Sequence, residues 1–365
     1  MPAHAHGHID LTFSAPLDDA RGPRKELRDG LSAVRQIGRT LWLANDESAS
    51  VERLTLDGDR AGAHEQFPLL RYLDLPEPAD KEADTDEVDV EGLDGAGGYL
   101  WVVGSHSRKR SKPSEGNSPA EAVACLADVD KDPNRFLLAR IPLIEAEGEL
   151  PTLARKAKPR RAQRLRGDGK GNALTRLLRK DEHLGPFIGL PGKENGFDIE
   201  GIAVAGERVF VGLRGPVLRG WAVVLELRLQ GDGRWLTLQP LDGSKKGACL
   251  RKHFLDLSGL GVRDLCLQGE DLLVLAGPTM DLDGPVRVLR WRDALRCDEA
   301  SVVAASQLQV LLDLPYGTGC DHAEGMTLLR RSQDAAVALL VVHDSPDPAR
   351  QPGRNSLRAD VFALP

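Results

Sequence analysis

The sequence predicts an all-β fold, a β-propeller of five four-stranded blades, with six blades as the open alternative. Three near-copies of one phrase, at Asp89–Leu93, Asp198–Ile202 and His322–Met326, each contain Glu-Gly before an apolar residue. Each copy leads through a tight turn into a short apolar run. An acidic residue that recurs at the start of repeated small sheets is typical of a propeller, in which the first strands line a central axis.

Two weaker copies extend the repeat. Val262–Leu265 keeps an acidic residue, and Leu31–Val34 keeps only the apolar positions. Aligned on the acidic position, the copies place these residues in register: Ser32, Glu91, Glu200, Asp264 and Glu324. One interval, from Glu91 to Glu200, is much longer than the others. It holds either an insertion, which is the preferred interpretation, or a degenerate sixth blade.

Each copy is followed by further predicted strands, since short apolar runs between turn residues indicate buried strands. The second strands are Thr40–Ala44, Tyr99–Val103, Val209–Leu213, Leu272–Ala276 and Val337–Val342. The third strands are Val51–Leu56, Phe136–Ile141, Trp221–Leu229, Val286–Trp291 and Leu357–Phe362. Fourth-strand candidates are Leu69–Leu75, His253–Leu257 and Leu308–Leu314. The last unit lacks a fourth strand of its own, so we expect Ile9–Phe13 to supply it and close the ring without an open edge.

The long interval predicts a basic insertion within a single domain that covers residues 1–365. We place the insertion at residues 144–192, between the second and third blades, and expect a helix near residues 150–190. Residues 155–180 hold eleven Lys or Arg and one acid, and Leu174, Leu177 and Leu178 have helical spacing. An acidic partner could bind there. Nucleic acid is disfavoured because the stretch lacks interleaved aromatic residues for base stacking.

Composition favours a folded protein without a membrane span. The chain has 365 residues, 41% hydrophobic and 28% charged, and its net charge of −7 disfavours a general nucleic-acid binder. Its apolar runs are all shorter than the roughly 20 residues of a membrane span. The start of the chain shows no apolar signal segment, and its five cysteines lack metal-type spacing. These observations predict a cytoplasmic protein without structural disulfides.

Blade connectivity predicts one polar site at the axis. In an up-and-down blade, the innermost strand starts on the same face as the loop between the second and third strands. We therefore expect an axial group of acids, Glu91, Glu200, Asp264 and Glu324. Around it we expect a second set of polar residues, Asp46, His106, Arg214, Arg263, Asp281, His322 and Asp344.

Converging carboxylates must be protonated, paired with arginines or neutralised by a cation. Oxygen ligands suit Ca²⁺ or Mg²⁺, so Glu91, Glu200, Asp264 and Glu324 are the predicted metal ligands. An organic cofactor is not expected, because dinucleotide and phosphate-loop fingerprints are missing. Two alternatives stay open. The acids could only bond neighbouring blades and arginines, or they could form a metal-free site for an anion or a peptide.

The preferred function is a metal-assisted hydrolase of a small phosphoester or lactone. His106 or His322 would move protons, and Arg214 in the Gly-Pro loop would bind the anion. Arg263, Asp46 and Asp344 complete the predicted ligand-binding residues. The alternative function is a non-catalytic scaffold that binds a small anionic molecule or a peptide at the same face. Gly104–Ser107 contains Ser and His, but no nucleophile elbow surrounds it, which disfavours serine hydrolase chemistry.

Several segments together resemble a known family. They are Asp89–Leu93 with Leu100–Ser107, Lys193–Gly201, Gly212–Ala222, Leu273–Gly284, and Glu324-Gly325 with His343–Ser345. They resemble a bacterial family catalogued as domain of unknown function 3616, over nearly the whole chain. The family has no established activity, so the resemblance implies no catalytic residues. More loosely, the Asp-x-Glu-Gly openings are similar to those of esterase-like phytase propellers and other acidic-channel propellers, a fold that hosts unrelated functions.

Overall fold

A computed structural model describes residues 2–14, 26–76, 87–242, 247–280, 282–331 and 337–365. Asp281, which the sequence places at the axial mouth, lies outside the described residues. Strands dominate the described chain, so the predicted all-β class is confirmed. The two α-helices, α1 (Pro119–Ala127) and α2 (Ala173–Leu178), have nine and six residues. Neither could cross a bilayer, and the described residues contain no other α-helix.

Antiparallel pairing divides the long strands of the described chain into five groups, and short parallel pairings join the first group to the fifth and the second to the third. The first group contains β2 (Leu31–Ile37), β3 (Thr40–Asn45), β4 (Ser50–Asp57) and β5 (Arg60–Pro68). The second contains β6 (Val90–Ala96), β7 (Tyr99–Gly104), β10 (Leu138–Ile144) and β14 (Gln163–Leu165). The third contains β17 (Asp198–Ala205), β18 (Arg208–Gly215), β19 (Trp221–Asp232), β20 (Trp235–Gln239) and β21 (Leu250–Asp256), with β25 (Ser301–Val303) at its edge. The fourth contains β22 (Gly261–Gln268), β23 (Asp271–Gly277), β24 (Val286–Trp291) and β26 (Leu308–Leu314).

The fifth group joins the two ends of the chain. It contains β27 (His322–Leu329), β28 (Ala338–Asp344) and β29 (Ser356–Ala363), and its outer strand is β1 (Gly7–Thr12). The pairing of β1 with β29 is antiparallel along the whole of β1, from Gly7 opposite Val361 to Thr12 opposite Ser356. The predicted supply of a strand by the N-terminal segment is therefore confirmed, and this strand covers the edge that β29 would otherwise expose.

The hydrophobic core is divided among the spaces between successive groups. Trp42 of the first group and Leu100 of the second belong to one buried cluster, and Phe210 of the third and Val274 of the fourth belong to another. Similar clusters join the second group to the third, the fourth to the fifth, and the fifth back to the first. The first strands β2, β6, β17, β22 and β27 contact one another in that order, and β27 contacts β2. The arrangement is propeller-like, whereas the number of blades stays a prediction.

The Glu-Gly phrase has a local structural cause. Each first strand has a β-bulge, where it carries one residue more than its partner, and in three groups the glutamate of the phrase lies in the bulge. In the third group the pairing passes over both Glu200 and Gly201, opposite Gly212. The following glycine lies against the next first strand. A Cβ atom added at Gly201 would lie 2.6 Å from the Cα of Asp264, and one added at Gly325 would lie 3.0 Å from the Cα of Ala33. Glycine therefore permits the close approach of neighbouring first strands.

The long interval contains more strand than helix. Its short strands are β11 (Thr152–Leu153), β12 (Lys156–Ala157), β13 (Arg160–Arg161), β15 (Gly167–Asp168) and β16 (Gly171–Asn172). The helix predicted there is limited to α2, so the description as a helical insertion is not confirmed. Part of the interval serves the sheet instead, because β14 pairs with β10. The loop after β7 carries β8 (Lys109–Arg110), α1 and β9 (Val129–Asp130).

Turns and single 3₁₀ helices connect the remaining elements. The described 3₁₀ helices are Leu27–Asp29, Leu69–Arg71, Pro133–Phe136, Gly185–Phe187, Gly192–Glu194, Ala294–Arg296, Ala305–Gln307 and Pro348–Arg350. Pro133–Phe136 is the one that bears on the site, because it presents buried Arg135 next to the loop that follows β7.

Candidate functional site

The bulge residues of the first strands form the axial cluster. Three of them are Glu91, Glu200 and Glu324, and the bulge of the first group holds Ser32. In the fourth group the pairing skips Arg263, between Val262 and Asp264. The sequence alignment placed Asp264 with the glutamates, and the structure corrects this by one residue. An arginine thus takes the fourth position beside the acids.

Arg263 neutralises the two glutamates on either side of it. Its Nη1 lies 3.2 Å from Glu200 Oε2 and 2.7 Å from Glu324 Oε1, and its Nη2 donates to the Pro278 carbonyl at 2.9 Å. Burial is the largest cause that raises the pKa of Glu324, to about 8, with Arg263 opposing and Asp344, Glu200 and Asp46 adding to it. The predicted gathering of Glu200, Glu324 and Arg263 is therefore present.

Arg214, on β18, is a second cation of the cluster. Its Nη1 lies 2.8 Å from Glu200 Oε1, and its Nη2 donates to Asp198 Oδ2. Burial and the nearby carboxylates of Glu200 and Asp89 raise the pKa of Asp198 to about 7, while Arg214 opposes them. Both groups keep spare capacity, since Asp198 Oδ1 and Arg214 Nε have no hydrogen-bond partner in the described part of the chain.

The prediction missed Asp89, Asp198 and Arg135 as members of the site. The two aspartates stand two residues before Glu91 and Glu200, inside the repeated phrase, so the sequence contained a signal for them. Arg135 carried no signal, because the 3₁₀ helix that presents it is far along the chain. Its Nη1 lies 3.0 Å from Asp89 Oδ2, and its Nη2 donates to Glu87 Oε1 at 2.5 Å.

Glu91 differs from the other glutamates because no arginine holds it. Among the described residues, no side chain or backbone group forms an ion pair or hydrogen bond with its carboxyl group. Burial, followed by the charges of Asp89, Glu200 and Glu324, raises the pKa of Glu91 well above its ordinary value. Its side chain is still partly exposed. Glu91 is thus a partly exposed residue whose carboxyl group is shifted toward its protonated form, first by burial and then by the acids around it.

Asp264 lies deeper, where it supports another arginine. Its Oδ2 accepts from the Met326 backbone N–H at 2.8 Å, and its Oδ1 accepts from its own neighbour, the Leu265 N–H, at 2.7 Å. Arg35 Nη2 lies 3.8 Å from Asp264 Oδ1, and Arg35 Nε lies 3.4 Å from Asp94 Oδ1. Burial raises the pKa of Asp264 to about 7, and Arg35 and the two backbone donors oppose this. The structure does not bring Asp264 to the glutamate cluster.

His106, predicted to move protons, has both ring nitrogens occupied. Nδ1 lies 2.7 Å from the Gly104 carbonyl oxygen, and Nε2 lies 2.7 Å from Nδ2 of Asn172, which precedes α2. The Asn172 amide must donate, so the neutral ring carries its proton on Nδ1. Burial lowers the pKa of His106 to about 4, against the bond to Gly104. The hydrogen bond between Asn172 and His106 thus connects the long interval between Glu91 and Glu200 to the loop after β7.

Of the three remaining predicted residues, Asp46 and Asp344 lie near the glutamates and His322 does not. His322 is partly exposed, and its Nε2 lies 3.3 Å from Asp283 Oδ1 rather than on the glutamates. Asp46 and Asp344 lie close enough to Glu324 to raise its pKa, which places them at the cluster as predicted. The structure therefore gathers Glu91, Glu200, Glu324, Arg214, Arg263, Asp46 and Asp344, and separates Asp264, His106 and His322 from them.

The cluster is suited to hold a positively charged group. In the described chain, no three side chains of the His, Cys, Asp and Glu types stand at metal-binding spacing. The predicted Ca²⁺ or Mg²⁺ ligands therefore stay a prediction. An ammonium group needs about three acceptors at about 2.9 Å, whereas Ca²⁺ takes about six to eight oxygens at about 2.3–2.6 Å. The carboxyl group of Glu91, together with the free oxygen of Asp198, provides such acceptors.

Solved structures give only distant likenesses. The glutaminyl cyclase of Myxococcus xanthus is 9% identical, with 99% of this chain and 97% of that chain covered and a TM-score of 0.42. The allergen Mala s 1 of Malassezia sympodialis is 8% identical, with coverage of 92% and 95% and a TM-score of 0.43. The PQQ-bound aldose sugar dehydrogenase of Streptomyces coelicolor is 14% identical, with coverage of 92% and 96% and a TM-score of 0.34. At these values the likenesses carry no inference about function.

Sequence comparison gives a family without an activity. No curated protein matches the chain significantly. One family model, described as a protein of unknown function (DUF3616), matches residues 30–360, which include every residue of the axial cluster. The predicted resemblance is confirmed, and the chain belongs to this family.

Proposed function

We propose that the five strand groups are the blades of a five-bladed propeller. Arg35, from the first group, supports this count. Its guanidinium donates to the carbonyl oxygens of Leu93 and Leu265 at 2.9 Å, Met326 at 3.4 Å and Ile202 at 3.5 Å. Each of these residues stands two positions after the bulge of its own strand, so one side chain contacts the equivalent point of all four other groups.

This arrangement also limits access to the axis. Arg35 is buried, and its guanidinium fills the space between the first strands below the bulge residues. A ligand of the cluster would therefore enter from the side on which Glu91, Glu324 and Asp344 lie. We expect a pocket with one opening rather than a continuous channel.

Within this frame we propose that the axial cluster binds a positively charged small molecule or peptide amino group. The observation that carries the proposal is Glu91, a partly exposed residue whose carboxyl group forms no ion pair or hydrogen bond among the described residues and lies close to several acids. An ammonium group offers three donors, which the Glu91 carboxylate and Asp198 Oδ1 could accept. Binding would stabilise the charged form of Glu91, so the ligand would displace its proton. Affinity is therefore expected to increase with pH through the range in which Glu91 titrates.

Calorimetry tests this proposal. Titrations with primary diamines and with short peptides should show binding that strengthens as pH rises, and buffers of different ionisation enthalpy should report proton release. Glu91→Gln copies the shape of the protonated acid and should abolish binding without unfolding the chain. The matched control is Glu299→Gln at an exposed site outside the cluster. Equal binding by wild type and Glu91→Gln, or binding without proton release, would contradict the proposal.

A divalent cation is the other positively charged ligand that the cluster could bind. Melting curves with metal and with chelator, together with the amine titrations, distinguish the two ligands. Ca²⁺ or Mg²⁺ should raise the melting temperature and chelator should reverse the effect, if the glutamates rearrange into a metal site. Amine binding in the presence of chelator supports the organic ligand. A response to metal alone would favour the predicted metal centre instead.

The second candidate function is hydrolysis of a small phosphoester or lactone, with or without the metal. One observation favours it. Burial and the neighbouring acids raise the pKa of Glu91, which favours the protonated form that a general acid needs. Proton transfer then belongs to Glu91 rather than to His106, whose nitrogens are both bonded. A panel of chromogenic phosphoesters and lactones tests this function, with Glu91→Gln as the inactive variant. Hydrolysis that survives this substitution would remove the role of Glu91.

A further inference from the structure

A strongly basic surface lies on the outside of the second and third groups, away from the bulge residues. One part of it surrounds Trp235 at the start of β20. The guanidinium carbons of Arg164 and Arg234 each lie 4.7 Å from the indole centroid, and that of Arg166 lies 6.0 Å from it. Arg164 belongs to β14, whose register places it directly opposite Trp235. Stacking on an aromatic ring fixes the plane of a guanidinium. Arg164 is buried and donates to the carbonyl oxygens of Asp74 and Gly167, so the guanidinium groups open to other partners here are those of the exposed Arg166 and Arg234.

A second part surrounds Tyr99 at the start of β7. Arg140 lies 4.4 Å from the Tyr99 ring centroid and 5.3 Å from that of Trp101, and Arg160 lies 5.9 Å from Tyr99. Gln163 connects the two parts. Its Oε1 accepts from Arg140 at 2.9 and 2.7 Å, and its Nε2 donates to the Gly233 carbonyl at 2.8 Å, two residues before Trp235. The two parts are therefore neighbours, joined by hydrogen bonds through the buried Gln163.

A short hairpin adds exposed charge to this surface. In the β12–β13 ladder, Lys156 stands directly opposite Arg161, and both side chains are exposed. Like charges directly opposite each other destabilise a ladder. Neither residue forms an ion pair within the described chain, and the same is true of Arg166. The pair thus costs stability unless an anion from another molecule lies against it.

Few of these cations are paired with acids. The basic face comprises Tyr99, Arg140, Arg155, Lys156, Arg160, Arg161, Arg164, Arg166, Arg234 and Trp235. Among the described residues, the ion pairs on the basic face are those of Arg155 and Arg234, both with Asp74. Asp74 Oδ1 lies 2.5 Å from Arg155, and Oδ2 lies 3.2 Å from Arg234. One carboxylate thus bridges two arginines, while most cations of the face have none. The surplus is large for a chain whose net charge is −7.

We propose that the basic face is a docking surface for an acidic polypeptide segment, rich in Asp and Glu, of a partner protein. The Asp74 bridge shows the geometry that such carboxylates would repeat along the face. Bidentate contact with carboxylates suits guanidinium groups that are already oriented by stacking. Single-stranded nucleic acid fits less well, because base stacking needs open aromatic faces and the arginines cover Tyr99 and Trp235. This surface is independent of the axial cluster.

Fluorescence anisotropy with a labelled oligoglutamate peptide tests the proposal on the full chain. Wild type should bind the peptide at low salt, and affinity should fall as salt screens the charges. The triple variant Lys156→Gln, Arg161→Gln, Arg166→Gln should bind it about tenfold more weakly, since exposed ion pairs contribute modestly each. These three side chains are exposed, so the fold should survive, and melting curves check this.

A matched triple variant removes the same charge elsewhere. Arg39, Arg60 and Arg354 are exposed residues of the first and fifth groups, and their replacement by Gln should leave peptide affinity unchanged. Failure of wild type to bind the peptide at low salt, or an equal loss in both triple variants, overturns the docking surface. Tighter binding of a single-stranded oligonucleotide than of the peptide at equal salt overturns the choice of partner.

Discussion

Removal of the Arg35 guanidinium should destabilise the whole ring rather than one group. The side chain is 5% exposed and donates to carbonyl groups in four different first strands. Two of these hydrogen bonds have a length of 2.9 Å, and Asp94 and Asp264 lie beside the guanidinium. Arg35→Met keeps much of the apolar stem but deletes every donor. Buried carbonyl groups and two buried carboxyl groups would then lack their shared partner.

The magnitude follows from the burial of these groups. Breaking a buried ion pair by removing one partner costs about 3–5 kcal/mol, because a charge is left without compensation. Protonation of the aspartates limits this cost, since burial already raises the pKa of Asp264 to about 7 even with Arg35 present. Without Arg35 the pKa rises further, so the folded variant holds protons that the unfolded chain releases. The free energy of unfolding of Arg35→Met should therefore fall as pH rises, and its deficit should be larger near pH 8 than near pH 6.

Chemical denaturation followed by tryptophan fluorescence, at about pH 6 and about pH 8, measures both the size and the sign. Arg39→Met, at an exposed turn close by, is the matched control and should change the free energy of unfolding by less than about 0.5 kcal/mol. A second variant, Arg35→Met with Asp264→Asn, should lose the pH dependence that comes from Asp264. A deficit for Arg35→Met no larger than that of the control, or one that shrinks at high pH, would refute the role of Arg35 as the common partner of the first strands.

Three further predictions concern the cluster and the strands that carry it. Burial raises the pKa of Glu324 to about 8 and that of Asp198 to about 7, so the folded chain binds protons that the unfolded chain releases. The melting temperature should therefore fall as pH rises from about 5 to about 8, and Glu91→Gln should reduce this slope. A melting temperature that does not change with pH would contradict the shifts. Gly201→Ala should lower the free energy of unfolding by more than about 2 kcal/mol, because the φ of Gly201 is +91° and a Cβ atom would meet the neighbouring strand. Gly206 has a φ of +64° but open space around it, so Gly206→Ala should lower the free energy of unfolding by about 1 kcal/mol. Equal losses in chemical denaturation would argue against the close approach of the strands. Asn172→Ala should destabilise the protein by about 1–3 kcal/mol, because Asn172 caps α2 and also forms a hydrogen bond with His106. Ser118→Ala, at the similar cap of α1, should destabilise it less. Equal losses of melting temperature in the two variants would contradict a stabilising role of the bond to His106.

The repeated phrase predicted the strands well because it encodes a backbone feature. A bulge followed by a closely packed glycine recurs wherever first strands approach each other, so Glu91-Gly92, Glu200-Gly201 and Glu324-Gly325 identified three groups directly. The prediction slipped by one residue in the fourth group because it aligned acids instead of apolar residues. Val262 corresponds to Val90 in the pairing, and counting from that residue places Arg263 at the bulge. The hydrophobic pattern was the better guide, since a slip of one residue turns every side chain of a strand to the opposite face.

Other parts of the site and of the basic face depend on contacts that local sequence does not encode. Arg135 reaches Asp89 from a separate 3₁₀ helix, and Asn172 reaches His106 from the long interval. The aromatic residues of the basic face come from β7 and β20, so the stretch 155–180 looked poor in aromatics when considered alone. Such pairs are set by the way distant segments pack, which a single sequence leaves undetermined.

The order of bulge residues around the ring explains why Glu91 is the exceptional acid. Reading from the first group to the fifth, they are Ser32, Glu91, Glu200, Arg263 and Glu324. Arg263 stands between Glu200 and Glu324 and pairs with both, whereas the neighbours of Glu91 are a serine and another glutamate. If the cluster served only to hold the groups together, a cation beside Glu91 would remove its repulsion at little cost. The missing charge on that side is therefore the best place to expect a cationic ligand.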